Sequence, residues 1–188
     1  MAPGSDLHKM SAEELGLLFP IIISDHSEKW KVLFHTERDL ILGSFSKKDI
    51  VRIDHVGSTA IPGLKAKPTI DILLQVSEDT DPSKIIDVFK ELGYRYTKQP
   101  DNPPPHMMFL KGYSIKGFRG QAYHVHVRYK GNWNEIHFRD ILLKDKKIAR
   151  EYEELKIRLA SKHRNNREDY TNGKSEFIEK VNKLVQEK

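Results

Sequence analysis

The 188-residue sequence contains no cysteine. This absence excludes a disulfide framework, thiolate zinc sites and a cysteine nucleophile, and it fits a reducing compartment. Long apolar runs are also lacking, because the most apolar stretch, residues 17–23, contains Pro20 and is far shorter than the ~20 residues of a membrane span. No secretory signal precedes that stretch. We therefore expect a cytoplasmic protein with no membrane partner.

The excess of positive charge is small, since 32 basic residues face 27 acidic ones for a net charge of +5. This balance suits an anionic small ligand or a nucleic acid, but an ordinary solvated surface explains it equally well. The aromatic and basic platform of sequence-specific RNA modules is absent, so the sequence allows nucleic acid as a partner without indicating it. The length predicts one domain over residues 1–188, with residues 1–10 disordered. The oligomeric state stays open.

Two segments have the pattern of buried strands. Residues 69–76 place four aliphatic side chains on one face and Asp71, Leu73 and Gln75 on the other. A leucine on the second face predicts a strand that is covered on both sides. Residues 121–130 alternate in the same way, and the polar face consists of His124, His126 and Arg128.

The remaining pattern predicts an α+β or α/β fold. Helices are predicted near residues 29–41, over residues 82–92, and over the C-terminal part, residues 134–188. A break near residues 163–167 precedes a last helix that carries both Tyr170 and Lys174. Shorter strands and one connection complete the order of elements. The strands are predicted over 51–56, 94–97 and 106–111, and the glycine-rich connection over 113–120.

A glycine–serine turn is the first candidate for chemistry. Gly57 and Ser58 follow a strand, and such a turn lets backbone amides and a hydroxyl approach a phosphate. Asp71 begins the next strand, and a carboxylate beside a phosphate-binding turn can hold Mg²⁺ against a triphosphate. The alternative is an ordinary tight turn and an aspartate that pairs with Lys65 or Lys67.

His124 and His126 are the second candidate. Two histidines separated by one residue on a strand point to the same side, which suits Zn²⁺, Mn²⁺ or Fe²⁺. With Asp71 they would complete a site of two histidines and one carboxylate if the two strands are neighbours. The alternative is that the imidazoles hydrogen-bond within the sheet face or contact an anionic ligand.

Basic residues near these motifs are candidates for phosphate contacts. Lys67, at the entrance of the Asp71 strand, is the first choice, and Arg128, on the His126 face, is the second. Arg52 and Lys65 are interpreted as surface charges. Arg139 either reaches a pocket against the sheet or pairs with a neighbouring helix.

The segment His55 to Val76, which begins with the run His55-Val-Gly-Ser-Thr-Ala-Ile-Pro-Gly-Leu-Lys-Ala-Lys-Pro-Thr-Ile-Asp71, closely resembles the GrpB family, an uncharacterised family of the DNA-polymerase-β-like nucleotidyltransferase superfamily. Its Gly-Ser-Thr, Pro-Gly-Leu, Lys-Pro and Ile-Asp-Ile pieces are specific to that family. The resemblance covers most of the chain. It extends to residues 25–30, 124–126, 138–142, 152–156, 169–174 and 177–178.

This resemblance implies a nucleotidyltransferase-like mixed sheet flanked by helices. It implies a nucleotide or phosphorylated small molecule as ligand and a divalent metal, Mg²⁺ or Mn²⁺ with Zn²⁺ as the alternative. In active members three carboxylates bind two metal ions. Asp71 matches the first of these, Leu73 stands at the second, and His126 or His124 stands at the third.

Three functions follow from these residues. The first is metal-dependent nucleotidyl transfer to a small molecule or an RNA, with Asp71 and His126 as catalytic residues. The second is a catalytically inactive nucleotide-binding or regulatory module, because Leu73 cannot bind a metal. The third is a metal-dependent hydrolase that uses Asp71, His124 and His126.

Overall fold

The centre of the molecule is a mixed sheet of five strands in the order β1-β2-β5-β4-β3. The computed structural model describes residues 7–186. The central strand, β5, is parallel to its neighbour β2, and every other pair of neighbours is antiparallel. This confirms the predicted α+β fold with a mixed sheet. The strands are β1 (Ile50–Val56), β2 (Thr69–Val76), β3 (Arg95–Lys98), β4 (Met107–Ser114) and β5 (Gly117–Tyr129).

Helices cover both faces of this sheet. Two precede the first strand, one connects β2 to β3, and four follow β5 within the described residues. No described helix has the length and apolar character needed to cross a bilayer. The helices are α1 (Ala12–Leu18), α2 (Lys29–Ser44), α3 (Pro82–Glu91), α4 (Asn134–Lys144), α5 (Lys146–Lys162), α6 (Arg167–Asn172) and α7 (Ser175–Gln186).

The aliphatic face of β2 and β5 forms the main core. Helices α2 and α3 pack against it and contribute large apolar side chains such as Trp30, Phe34 and Phe89. Phe89 stacks on Phe109 of β4 with ring centroids 4.2 Å apart. Burying this apolar area is the dominant favourable term in folding, so the strict alternation in β2 and β5 determines which face turns inward.

The second face of the sheet carries α4. Leu73 of β2 is fully buried there against Val56 and Ile136. Behind α4, helices α5 and α7 and the turn after β1 form a second apolar cluster. Since α4 covers the sheet at Leu73, the side chain of Asp71, two residues earlier, lies toward the edge of the helical cover and keeps 29% of its surface exposed.

Three predicted features differ in the structure. Residues 113–120 are not a loose connection, because β4 and β5 form a hairpin in which Tyr113 pairs with Phe118 and Ser114 with Gly117. The last predicted helix is divided into α6 and α7. Lys174, which was predicted to lie within it, stands between Gly173 and the start of α7. Within the N-terminal segment predicted to be disordered, Leu7–Lys9 form a short 3₁₀ helix and residues 1–6 lie outside the described residues.

Candidate metal and anion site

Asp71, His124 and His126 lie together on the α4 face of the sheet. Because β2 and β5 are parallel neighbours, Asp71 pairs with His124 in the strand register and Leu73 with His126. The Asp71 Oδ1 atom is 3.3 Å from His124 Nδ1 and 3.9 Å from His126 Nε2. One ligand atom from each residue lies within 4.8 Å of the others, so the three could bind one metal ion.

Gly57 closes this site from the β1 side. Its φ of 71° belongs to the left-handed region, and a Cβ at this position would lie 2.5 Å from Asp71 Oδ2. Only glycine therefore lets the carboxylate rest against the turn. Ser58 begins the 3₁₀ turn that follows, and its side chain acts to lower the pKa of Tyr152 against the larger effect of burial. The turn, Asp71 and His126 come together at one partly open site.

The protonation states of Asp71 and His124 favour metal binding. Burial acts to raise the pKa of Asp71, but the neighbouring imidazoles of His124 and His126 outweigh this effect and hold that pKa below its ordinary value. Burial lowers the pKa of His124 to about 4, although Asp71 opposes the shift. At neutral pH the site therefore has an ionised carboxylate and a neutral imidazole, the forms that bind metals.

Tyr113 and Arg167 are members of the site that sequence reasoning missed. The Tyr113 hydroxyl is 2.7 Å from His124 Nε2, and Arg167 Nη2 donates to the same hydroxyl at 3.5 Å. Burial raises the pKa of Tyr113 in spite of the Arg167 charge, so the phenol is neutral. Tyr113 belongs to the hairpin that was predicted as a loop, and Arg167 begins a helix after the predicted break. Neither position follows from the local pattern.

Three cationic side chains lie near this site: Lys67 and Lys174, which are affected by the charge of Asp71, and Arg167, which contacts Tyr113. Burial and the charge of Arg167 lower the pKa of Lys67 to about 7, with Asp71 opposing and Lys174 adding to the shift. Burial also lowers the pKa of Lys174, and there too Asp71 opposes and Arg167 adds. Within residues 7–186, no ion pair ends on the ammonium group of Lys67 or Lys174. This surplus of positive charge would attract an anion.

The other predicted cations have structural partners. Arg128 is buried and donates to Glu135 at 3.0 Å and to the carbonyl of Val127. It is therefore turned into the fold and is not part of the open site, in contrast to its predicted phosphate contact, because α4 supplies the acidic partner. Arg139 likewise donates to Asp54 at 3.0 Å. Lys65 forms an exposed pair with Asp25, in keeping with its interpretation as a surface charge.

The donor set decides which metals fit. Leu73 stands where the resemblance noted in the sequence implies a second carboxylate, and it is fully buried under α4. Two imidazole nitrogens and one carboxylate oxygen suit Zn²⁺, Mn²⁺, Fe²⁺ or Co²⁺ better than Mg²⁺, which prefers oxygen ligands. The hydrogen bond to the outer nitrogen of His124 also fits, because metal-binding histidines are usually held in this way.

Comparison with known proteins agrees with the resemblance seen in the sequence. The chain is 37% identical over 165 residues to the glutamate-rich protein GrpB of Alkalihalophilus pseudofirmus, covering 86% of this chain and 93% of that protein. It is 40% identical over 130 residues to a UPF0157 protein of Pseudomonas aeruginosa, covering 69% of this chain but only 53% of the relative, so it spans about half of that protein.

A solved structure shares the fold. The crystal structure of the conserved protein GrpB from Enterococcus faecalis superposes with a TM-score of 0.73 at 28% identity, covering 88% of this chain and 98% of that one. The family model described as GrpB protein matches residues 20–184. The chain therefore belongs to the GrpB family.

Proposed function

We propose that this protein binds a nucleotide or another phosphorylated small molecule next to one divalent metal ion, and that it catalyses metal-dependent nucleotidyl transfer. The observation that carries the proposal is the cluster of Asp71, His124 and His126, whose ligand atoms lie within 4.8 Å of one another. The excess of positive charge beside this cluster supports an anionic ligand, and a phosphate is the anion that needs both features.

Metal binding, phosphate contact and charge balance would fall to different residues of the chain. Asp71, His124 and His126 would hold the metal, which supplies Lewis-acid stabilisation of charge on the phosphate oxygens when bound. The turn at Gly57 and Ser58 would place backbone amides near the phosphates. The three surrounding cations would balance the remaining negative charge. They are Lys67, Arg167 and Lys174.

The proposed reaction is a displacement at the α-phosphorus. An acceptor hydroxyl oxygen forms a new bond to that phosphorus, and the bond from phosphorus to the bridging oxygen breaks. Pyrophosphate leaves with the electron pair, and the hydroxyl proton passes to solvent at the open side of the site. The protein's share is to align acceptor and nucleotide and to stabilise the charge that develops.

Calorimetry tests this proposal. We expect ATP, GTP, CTP or UTP to bind the wild-type protein in the presence of Mn²⁺ or Zn²⁺ and at least about tenfold more weakly in Asp71→Asn, since removal of a ligand usually costs that much or more. Asp79→Asn, which removes the same charge from an exposed residue, is the matched control and should bind like wild type. If none of the four nucleotides binds with any of these metals, the proposal is wrong.

Hydrolysis is the second candidate, and the burial of Leu73 favours it. With Leu73 in place of a carboxylate, the candidate ligands hold one metal, and one metal with open positions can activate a water molecule. Reaction in ¹⁸O-labelled water separates the two functions. A hydrolase introduces the label into the released phosphate or nucleotide, whereas transfer to an acceptor hydroxyl leaves the nucleotide product unlabelled.

A further inference from the structure

Tyr113 is not itself a candidate metal ligand, but its hydroxyl is hydrogen-bonded to His124 at Nε2, whereas Nδ1 is the ring nitrogen nearest Asp71. The hydroxyl lies 2.7 Å from Nε2, and the two rings are nearly parallel, with an interplanar angle of 18°. The tyrosine ring itself makes an edge contact with Phe19 at a centroid distance of 5.0 Å and a tilted contact with Phe118 at 5.4 Å. Arg167 lies on its other side, with the guanidinium carbon 5.7 Å from the ring centre. The hydroxyl therefore has a defined position.

This contact affects which nitrogen of His124 can bind a metal. A neutral imidazole binds a metal through the nitrogen that carries no proton, so the other nitrogen must carry the proton and find an acceptor. Nδ1 of His124 faces Asp71, which leaves Nε2 to carry the proton. Among the described residues, the hydroxyl of Tyr113 is the hydrogen-bond partner of Nε2.

We propose that Tyr113 is a positioning residue of the metal site, which accepts a hydrogen bond from Nε2–H of His124 and so keeps Nδ1 free to bind the metal beside Asp71. The inference rests on the metal site of the proposed function. A hydroxyl suits the task because it can donate as well as accept. Without metal, Tyr113 can donate to Nε2 while Nδ1–H donates to Asp71, and it can become the acceptor when metal binds.

Tyr113→Phe tests the inference, because it removes the hydroxyl and keeps the ring. Co²⁺ alone is the probe, and its affinity is measured by competition with a chelator. We expect about 10- to 100-fold weaker Co²⁺ binding, the usual loss when the outer partner of a metal ligand is removed. The visible absorption bands of the bound Co²⁺ should also change, which a loss of general stability would not cause.

Tyr96→Phe is the matched control. Tyr96 lies on β3, the edge strand that β4 separates from β5, and its ring packs against Phe109. This variant also loses one phenol oxygen from the sheet, and we expect it to bind Co²⁺ like wild type. Equal affinity and equal spectra in wild type and Tyr113→Phe would overturn the inference while leaving the proposed metal site intact.

A measurement on the wild-type protein decides the question if Tyr113→Phe does not fold. Long-range ¹H–¹⁵N NMR of the Zn²⁺-loaded protein reports which nitrogen of each histidine carries a proton. We expect His124 to carry it on Nε2. A proton on Nδ1 would overturn the inference about Tyr113. Failure of wild type to bind Co²⁺ or Zn²⁺ at all would overturn the metal site itself, and the inference with it.

Discussion

At the residue scale, Gly57 determines whether Asp71 can stay in the site. Two properties require glycine at this position. The backbone has a positive φ, and a Cβ would lie too close to an oxygen of Asp71. Gly63 shares the first property, with a φ of 77°, but a Cβ there would have no neighbour within 4 Å. The pair therefore separates backbone strain from direct contact with the carboxylate.

We predict that Gly57→Ala loses more stability than Gly63→Ala and also loses metal affinity. Both substitutions strain a positive-φ backbone at a cost of about 1–3 kcal/mol, with the larger strain at Gly57, whose φ of 71° and ψ of −173° essentially only glycine adopts. Only the first substitution also pushes Asp71 away. Urea unfolding gives the stability difference, and Co²⁺ titration gives the affinity. Equal Co²⁺ affinity in the two variants would show that the turn can yield without moving the carboxylate.

Lys156 is a second residue whose surroundings allow a prediction, here about how stability depends on pH. It is 2% exposed, its ammonium group donates to the carbonyl of Lys65, and it lies over the Tyr152 ring. Burial lowers its pKa from 10.5 to about 7, with Glu153 opposing and Lys174 adding to the shift. Between these two pKa values the unfolded chain binds more protons than the folded one. Stability contributed by this group therefore rises with pH above about 7.

We predict that the stability difference between wild type and Lys156→Met changes with pH. From pH 7 to 10, the free energy of unfolding of wild type minus that of the variant should increase by about 1.4 kcal/mol per pH unit. Below pH 7 the variant should be at least as stable as wild type, because it buries no charge. Lys162→Met, an exposed lysine on the same helix, is the control. Parallel pH profiles of wild type and Lys156→Met would contradict the prediction.

At the scale of elements, the packing of α4 on β2 explains why the site has one carboxylate on this strand. Leu73 stands where the superfamily resemblance implies a second one, and it belongs to the contact of β2 with Val56 and Ile136. A leucine there stabilises the fold, and an acidic residue would need a partner that the apolar contact does not provide. The leucine at this position is therefore a packing feature of this sheet face.

We predict that Leu73→Asp does not restore a second metal ligand. It should destabilise the protein by more than the roughly 2–5 kcal/mol expected for Leu73→Ala, since it adds an unpaired buried charge to the lost contacts. Leu143→Asp, at an exposed leucine of α4, is the control and should be nearly neutral. Chemical unfolding and Co²⁺ titration check this. Tighter Co²⁺ binding by Leu73→Asp would show that α4 can move aside.

Some of these elements could be predicted from the sequence and others could not. The bounds of β2 were predicted correctly because its alternation is strict, whereas the sequence left open whether β2 pairs with β5. Local patterns carry no information on which distant strands pair. The hairpin was missed because its glycines serve a bulge and a tight turn, and Gly112 meets the backbone of Gln121 where a Cβ would lie. Gly173, packed against Leu159, divides the last predicted helix.

At the scale of the whole molecule, the site combines two parts of the chain that lie far apart in sequence. The sheet supplies the candidate metal ligands, and the C-terminal part brings Lys174 within electrostatic reach of Asp71 and Arg167 against Tyr113. Lys67 could be chosen from its place next to the Asp71 strand, but the C-terminal cations could not. Their position depends on how α5 to α7 pack behind α4, and the tertiary contacts determine that packing.

Because the candidate metal ligands and the C-terminal cations belong to different parts of the chain, we predict that phosphate affinity and metal affinity can be changed separately. Lys174→Met removes a cation near Asp71 and keeps most of the apolar stem, so we expect inorganic triphosphate to bind about tenfold more weakly, the loss of one charge-assisted contact. Co²⁺ should bind equally well or slightly more tightly, because one neighbouring positive charge is gone. Lys180→Met, at an exposed position of α7, is the control.

Salt provides the second arm of this experiment. Partly exposed charges are screened, so the difference in triphosphate affinity between wild type and Lys174→Met should shrink as ionic strength rises from about 0.01 M to 1 M, where the screening length falls from about 30 to 3 Å. Binding is followed by calorimetry at each salt concentration. If Lys174→Met and Lys180→Met lose the same affinity at every salt concentration, Lys174 acts only through the net charge of the molecule, and the C-terminal helices do not contribute to the site.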